Sequence, residues 1–244
     1  MPLRSLILTG GLSSRMGVPK HTLTLPPSAE GQGVEQPLLV SLLLHHHKFQ
    51  LTLENTTSTI CISTRDDHQK AEVQQLLDLH VLPKGMELHF VQDELIDSGP
   101  AAGLLAAYVY DSTVSWLVSG CDYPCLSVAA FRQLYVSHEV HAATVTCFVN
   151  SKGFAEPLLA IWTSDALEFL GDMVSAARRE GRNLGPTQVI RVLQQRPLIT
   201  GHVLPGHRTN VNLLKPLDAS CLTNVNTPAE WQKFSASPNA DICH

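Results

Sequence analysis

The sequence predicts an α/β layered fold with a mostly parallel central sheet. Short runs rich in Leu, Ile and Val alternate with longer helix-forming stretches, and strands separated by helices pair in parallel. The first run stops at Gly10-Gly11, a pair that suits a buried strand ending in a tight turn. No repeat or composition break divides the 244 residues, so one domain over 1–244 is expected, long enough for a single hydrophobic core.

The elements follow in order. Residues 3–9 form the first strand, and the Pro-, Gly- and Ser-rich stretch after Leu25 reads as an exposed loop over about 26–36. Pro37 opens a helix over 38–49, with 38–44 as its buried face. A second strand over 59–64, a helix over 66–79 and a third strand over 87–92 come next. Ser98-Gly99-Pro100 reads as a helix start, with Ser98 as candidate cap, Pro100 in the first turn and the helix continuing over 101–110. A fourth strand over 114–119 closes at Gly120-Cys121-Asp122-Tyr123-Pro124, and a helix returns over 127–136. Strands over 142–148 and 157–162 and helices over 165–179 and 187–195 complete the regular part. Arg208-Thr209-Asn210-Val211-Asn212 reads as an ordinary turn, and 232–244 as an irregular tail.

Composition excludes several classes. There are 17 Lys+Arg against 22 Asp+Glu, a net charge of −5, and no clustered basic footprint for duplex nucleic acid. The apolar run over 38–44 is far below the ~20 residues of a membrane span, and the N-terminal apolar stretch is too short for a signal peptide. Six cysteines are too sparse for a disulfide scaffold, and Cys121 and Cys125 have neither redox nor zinc-knuckle spacing. A reduced, cytoplasmic protein without nucleic-acid or membrane partners is expected. His45-His46-His47 cannot share one helix face, so metal binding there is not expected, and Trp116, Trp162 and Trp231 read as packing residues.

Four segments carry chemistry. In Leu8-Thr9-Gly10-Gly11-Leu12-Ser13-Ser14-Arg15-Met16-Gly17-Val18-Pro19-Lys20, the glycines let backbone N–H groups approach phosphate oxygens. Arg15 and Lys20 supply positive charge; the spacing matches neither the dinucleotide-binding glycine pattern nor the P-loop. Asp122, after the fourth strand, lies where open α/β sheets collect ligands, and a carboxylate there can hold Mg²⁺. It can equally be a turn aspartate before proline. Asp93, upstream of Asp97-Ser98-Gly99-Pro100-Ala101-Ala102-Gly103, could accept from guanine N–H groups, with a base lying against the small residues. The plain alternative is close helix–sheet packing. In Asn224-Val225-Asn226-Thr227-Pro228-Ala229-Glu230, alternation puts both amides on one side, and Thr227, Pro228 and Glu230 suit a capped helix start.

In this order, these segments resemble the molybdenum cofactor guanylyltransferases, the MobA-like enzymes, over about 8–231. The resemblance implies a three-layer α/β/α Rossmann-like nucleotidyltransferase fold. It also implies transfer of GMP from GTP to molybdopterin-bound molybdenum cofactor, with Mg²⁺ as cofactor and a molybdoenzyme or cofactor-insertion protein as recipient. Carried over by position, Arg15, Lys20 and Asp122 would be catalytic. Leu8, Thr9, Gly10, Gly11, Lys20, Asp93 and Asp122 would bind GTP, and Asp122 and Asn226, with Asn224 nearby, would border the metal. The chain departs from the family at Thr9, at Arg65 where an asparagine is usual, and at Glu156 where histidine is frequent. These departures keep open a cytidylyl or sugar-phosphate nucleotidyltransferase, or a weakened nucleotide and cofactor carrier.

Overall fold

The computed structural model describes residues 2–11, 15–25, 35–53, 59–92, 98–196 and 210–237. Strand β1 (Leu3–Leu8) leads to a 3-10 turn at Lys20–Thr22, and the two-residue strands β2 (Thr24–Leu25) and β3 (Gln36–Pro37) pair as a small ribbon. Then come α1 (Leu38–Gln50), β4 (Thr59–Thr64), α2 (Asp67–Asp78), β5 (Glu87–Gln92), α3 (Pro100–Tyr110) and β6 (Ser115–Gly120). The second half holds α4 (Val128–His141), β7 (Val145–Val149), β8 (Ala155–Trp162), α5 (Ser164–Arg179), α6 (Pro186–Gln195) and β9 (Val211–Leu214). A 3-10 turn at Ala219–Leu222 and α7 (Pro228–Ser235) follow.

The main sheet has seven strands in the order β5-β4-β1-β6-β8-β7-β9. All pairs are parallel except those of β8, which runs against both β6 and β7. The alternation of elements predicts parallel pairing, and here it gives way. β7 and β8 are joined by a short turn in which Asn150 N–H donates to Phe154 O, and a turn that short reverses the chain.

Period-two alternation sorts the strand side chains onto two faces. Leu3 and Ile7 of β1, with Ile60 and Ile62 of β4, pack against α1, α2, α4 and α7 through Leu42, Val73, Phe131 and Phe234. Leu6, Leu8, Cys61, Trp116 and Val118 pack on the other face against α3, α5 and α6 through Leu104, Leu170 and Ile190. The result is the expected three layers. Trp116 and Trp162 are fully buried, as read from sequence, and Trp231 packs beside Phe234 against the first core. α1 is buried beyond the 38–44 face: His46 and His47 are also inside, and His46 bonds Ser119 Oγ at 2.8 Å.

Several boundaries differ from expectation. α3 is capped by Gly99 at φ 54°, not by Ser98, because a left-handed residue is needed there and glycine adopts it without strain. α4 runs on to His141, where Ala142 takes a left-handed φ of 43°. Asn210-Val211-Asn212 is no ordinary turn: Asn210 is buried, donates to Leu193 O and Arg196 O, and leads into edge strand β9. Gln36 lies in β3 rather than in the loop, and α7 takes up the first part of the supposed tail. Cys61, Cys121, Cys147 and Cys221 are free and buried. No helix among the described residues is long and apolar enough to cross a membrane.

Candidate active site

The registers Leu8↔Gly120 and Leu8↔Ser63 bring the carboxyl ends of β6, β1 and β4 side by side. The chain therefore leaves the sheet at Thr9, Cys121 and Arg65 along one rim, where open parallel sheets present their ligand crevices. Thr9 is anchored there: its N–H and Oγ1 both donate to Ser63 O, at 3.2 and 2.6 Å. Its own carbonyl accepts from Gln69 Nε2 at 2.6 Å, and Gln69 Oε1 accepts from Arg65 N–H at 2.8 Å. One buried glutamine on α2 thus ties the first loop to the end of β4.

Asp122 is the centre of the rim. Gly120 makes room for it, since a Cβ there would lie 2.7 Å from Asp122 Oδ1. Oδ1 is turned back over the strand end, and Oδ2 faces the site. The Lys20 ammonium lies 3.0 Å from Oδ2 and 2.6 Å from Asn226 Oδ1. Asn224 Nδ2 donates to the same Oδ2 at 3.1 Å, and Asn226 Nδ2 donates to Asn224 Oδ1. The backbone registers the segment, with Val225 N–H on Asp122 O at 3.0 Å and the Val225 side chain buried. The alternation read from Asn224-Val225-Asn226 is what puts both amides on the aspartate.

The expected capping box at Thr227 is present and reaches further than expected. Glu230 Oε2 accepts from Thr227 N–H at 3.0 Å and from Asn226 N–H at 2.7 Å. Those backbone donors hold the Glu230 carboxyl below the ordinary range, and the Arg15 guanidinium adds a smaller pull in the same direction. Arg15 is exposed and faces this C-terminal segment across the site.

Leu8, Thr9, Gly10, Gly11, Arg15, Lys20, Asp122, Asn224 and Asn226 all belong to this rim and the loops beside it. Asp93, Ser13 and Ser14 lie outside the described residues, as do 26–34 of the expected loop. An open face for a base at Gly103 is not found: a Cβ there would meet Ser63 Oγ at 2.4 Å and Leu8 Cδ2 at 2.6 Å. That glycine lets α3 close on the sheet, the packing alternative. Arg65 turns to its neighbour, with Nε on Asp66 Oδ2 at 2.8 Å.

Three residues passed over in the sequence reading join the site. Tyr123, the third residue of Cys121-Asp122-Tyr123-Pro124, donates from its phenol to Glu156 Oε2 at 3.0 Å. Burial, then the Asp122 and Glu156 carboxylates, push its phenol well above the ordinary tyrosine range. Asn150 Nδ2 donates to Glu156 Oε1 at 2.8 Å, so Glu156 is held by two neutral donors. Gln69 is the third, and nothing in the sequence marks it.

Among the described residues no group of three or more His, Cys, Asp or Glu could hold a metal ion. The oxygens that do converge, Asp122 Oδ2 and Asn226 Oδ1 around a cationic ammonium, are hard donors of the kind Mg²⁺ takes, and Mg²⁺ needs only one or two carboxylates beside water and phosphate.

Residues 5–192 match the family model for the MobA-like NTP transferase domain. The chain is similar to a molybdenum cofactor biosynthesis bifunctional protein of Synechocystis, 22% identical over 235 residues; these are 96% of this chain but 54% of the relative, so it spans about half of that protein. In structure it resembles molybdopterin-guanine dinucleotide biosynthesis protein A of Archaeoglobus fulgidus, with a TM-score of 0.62, 20% identity and 96% of each chain covered. It also resembles the 2-C-methyl-D-erythritol 4-phosphate cytidylyltransferase of Thermus thermophilus, with a TM-score of 0.56, 13% identity, and 98% of this chain and 100% of that chain covered. At such identities the structural likenesses show the fold. The family model spans more than half of the sequence, and the chain belongs to the MobA-like NTP transferase domain family.

Proposed function

We propose that the protein transfers GMP from GTP to molybdopterin-bound molybdenum cofactor and releases pyrophosphate. The observation that carries this reading is the convergence of Lys20, Asp122, Asn224 and Asn226 at the ends of β1 and β6, in a member of the MobA-like family. The Synechocystis and Archaeoglobus relatives, whose names refer to molybdenum cofactor and molybdopterin-guanine dinucleotide biosynthesis, support the acceptor.

Asp122 and the Asn226 carbonyl, with Asn224 beside them, would hold Mg²⁺, which supplies charge neutralisation on the polyphosphate. Thr9, Gly10 and Gly11 line the loop that meets the nucleotide, and Asp93 is proposed as its guanine contact. Lys20 and Arg15 bring positive charge to the triphosphate. Attack of a phosphate oxygen on the α-phosphorus gathers negative charge at one point, and positioned cations lower that barrier without a covalent nucleophile. The product passes to a molybdoenzyme or cofactor-insertion partner in the cytoplasm.

A second reading, another base or acceptor, is kept open by the departures at Arg65 and Glu156, and the cytidylyltransferase neighbour shares the fold. Incubation with GTP, Mg²⁺ and molybdenum cofactor, following pyrophosphate and dinucleotide, separates the readings. Product with GTP but not CTP supports guanylyl transfer. Equal competition by GTP, CTP and ATP overturns it, and tight GTP binding without product points to a carrier or another acceptor.

A further inference from the structure

We infer that the Lys20 ammonium is a placeholder for the divalent cation: it occupies the oxygens that a metal would take, so that metal binding and release of Lys20 toward the phosphates are one coupled event. The inference rests on the proposed metal position and adds a competition that the reading of Lys20 as a phosphate ligand does not contain.

The Lys20 ammonium is already seated on oxygens. Its Nζ lies 3.0 Å from Asp122 Oδ2 and 2.6 Å from Asn226 Oδ1, one oxygen from each segment expected to border the metal. Both partners are largely withdrawn from water, with side-chain exposures of 14% for Lys20 and 16% for Asp122. Of the two carboxylate oxygens, Oδ2 is the one turned to Lys20, while Oδ1 lies beside Gly120. Oδ2 is further held in place by Asn224 Nδ2 at 3.1 Å.

An ammonium and a divalent cation drawn to the same Oδ2 and the same Asn226 oxygen would lie side by side in a pocket with little water. Mg²⁺ approaches its oxygen ligands to about 2.0–2.1 Å, and two cations that close repel strongly when solvent does not screen them. Lys20 must therefore leave Oδ2 and the Asn226 carbonyl when the cation arrives. The means are present in the chain. Lys20 begins a one-turn 3-10 segment after an exposed loop that bends at Gly17, φ 76°, and its own four methylenes let the ammonium swing. Without nucleotide the ammonium neutralises Asp122; with nucleotide bound, the phosphates offer it a new anionic partner. The coupling makes bare metal bind weakly and metal with nucleotide bind together.

The test needs neither GTP nor an acceptor. Mn²⁺, which takes the same oxygen donors, is titrated into the nucleotide-free protein, and the loss of the free Mn²⁺ electron paramagnetic resonance signal is followed. A site blocked for about nine-tenths of the time gains about tenfold in affinity when the block is removed. Lys20→Met, which keeps the stem and removes the charge, is expected to bind Mn²⁺ at least about tenfold more tightly than wild type. Adding Asp122→Asn should erase that gain, and Lys20→Arg, still cationic, should stay as weak as wild type. Equal or weaker binding in a folded Lys20→Met protein, checked by its thermal melt, overturns the inference. So does a gain that survives Asp122→Asn, or the absence of Mn²⁺ binding from every variant. The outcome is separable from that of the guanylyl reading: a protein that shows the gain but takes no GTP keeps the placeholder and loses the proposed reaction, and active protein without the gain does the reverse.

Discussion

Tyr123 and Glu156 form a hydrogen bond of 3.0 Å between the turn after β6 and the start of β8. Tyr123 directly follows Asp122, so the contact borders the centre of the site. Where the family often has histidine, this chain has a carboxylate whose donors are a phenol and the Asn150 amide. Tyr123→Phe removes the donor and leaves the half-buried Glu156 with one partner fewer. A stability loss of about 1 kcal/mol is expected in urea denaturation, and Glu156→Ala should cost at least as much, because it strands both the phenol and the amide. No change in either variant would place the pair in solvent.

Two glycines lead to opposite expectations. At Gly103 a methyl group would meet Ser63 and Leu8 at 2.4 and 2.6 Å, within the packed interface of α3 and the sheet. Gly103→Ala should destabilise by about 1–3 kcal/mol through overpacking, although alanine is the better helix former by about 1 kcal/mol. At Gly120 the methyl meets the Asp122 carboxylate, the far end of a side chain rather than packed backbone. Gly120→Ala should therefore leave the melting temperature nearly unchanged and lower activity by displacing Oδ2. Melting curves and turnover on both variants check the contrast.

Acid should weaken the fold well before its carboxylates protonate. Burial pushes His46 down to about 3, with His45 adding to the effect, and burial pushes His138 down to about 4. In the unfolded chain both titrate near 6.5. Between these values the unfolded state binds protons that the folded state refuses, so stability is full above pH 6.5 and falls as pH drops. Each histidine contributes a slope of about 1.4 kcal/mol per pH unit. Denaturation between pH 7 and pH 4.5 should show that decline, and His46→Gln should remove part of it, the rest staying with His138 and the likewise depressed His21.

In the proposed reaction Asp122→Asn should cut turnover by about 100-fold or more while the protein stays folded, since the amide can still take hydrogen bonds from Lys20 and Asn224. Lys20→Ala should raise KM for GTP, with a further loss in kcat. Steady-state kinetics check both. Near-wild-type turnover with Asp122→Asn would remove the carboxylate from the mechanism.

Arg65 bears on the base. Its Nε is held by Asp66 and its N–H by Gln69, which also holds Thr9. An arginine fork complements guanine O6 and N7, whereas adenine presents a donor beside its single acceptor. If it reads the base, Arg65→Ala should cost about 1–3 kcal/mol of preference for GTP over ATP. Competition binding with the two nucleotides checks this, and an unchanged ratio would assign Arg65 to the surface.

Local order was legible in the sequence where the physics is local. Strand positions at 59–64 and 87–92, the cap at Thr227 and the shared side of Asn224 and Asn226 follow from period, turn chemistry and alternation. Reading went astray where the deciding partner is distant. Ser98 loses the cap to Gly99 because of a backbone angle, β8 reverses because of a short turn, and Asn210 is buried by carbonyls of α6 and the residue after it.

The site divides in the same way. By itself the sequence determined which residue types are available on each loop: a glycine pair, two cations, an aspartate after a strand and two alternating amides. Only the tertiary structure decided that Lys20 meets Asp122 across 102 residues and Asn226 across 206, that Gln69 ties down Thr9, and that Tyr123 reaches Glu156. Hydrogen-bond geometry operates over about 3 Å, and what lies within that distance is set by the sheet order and the packing of its helices.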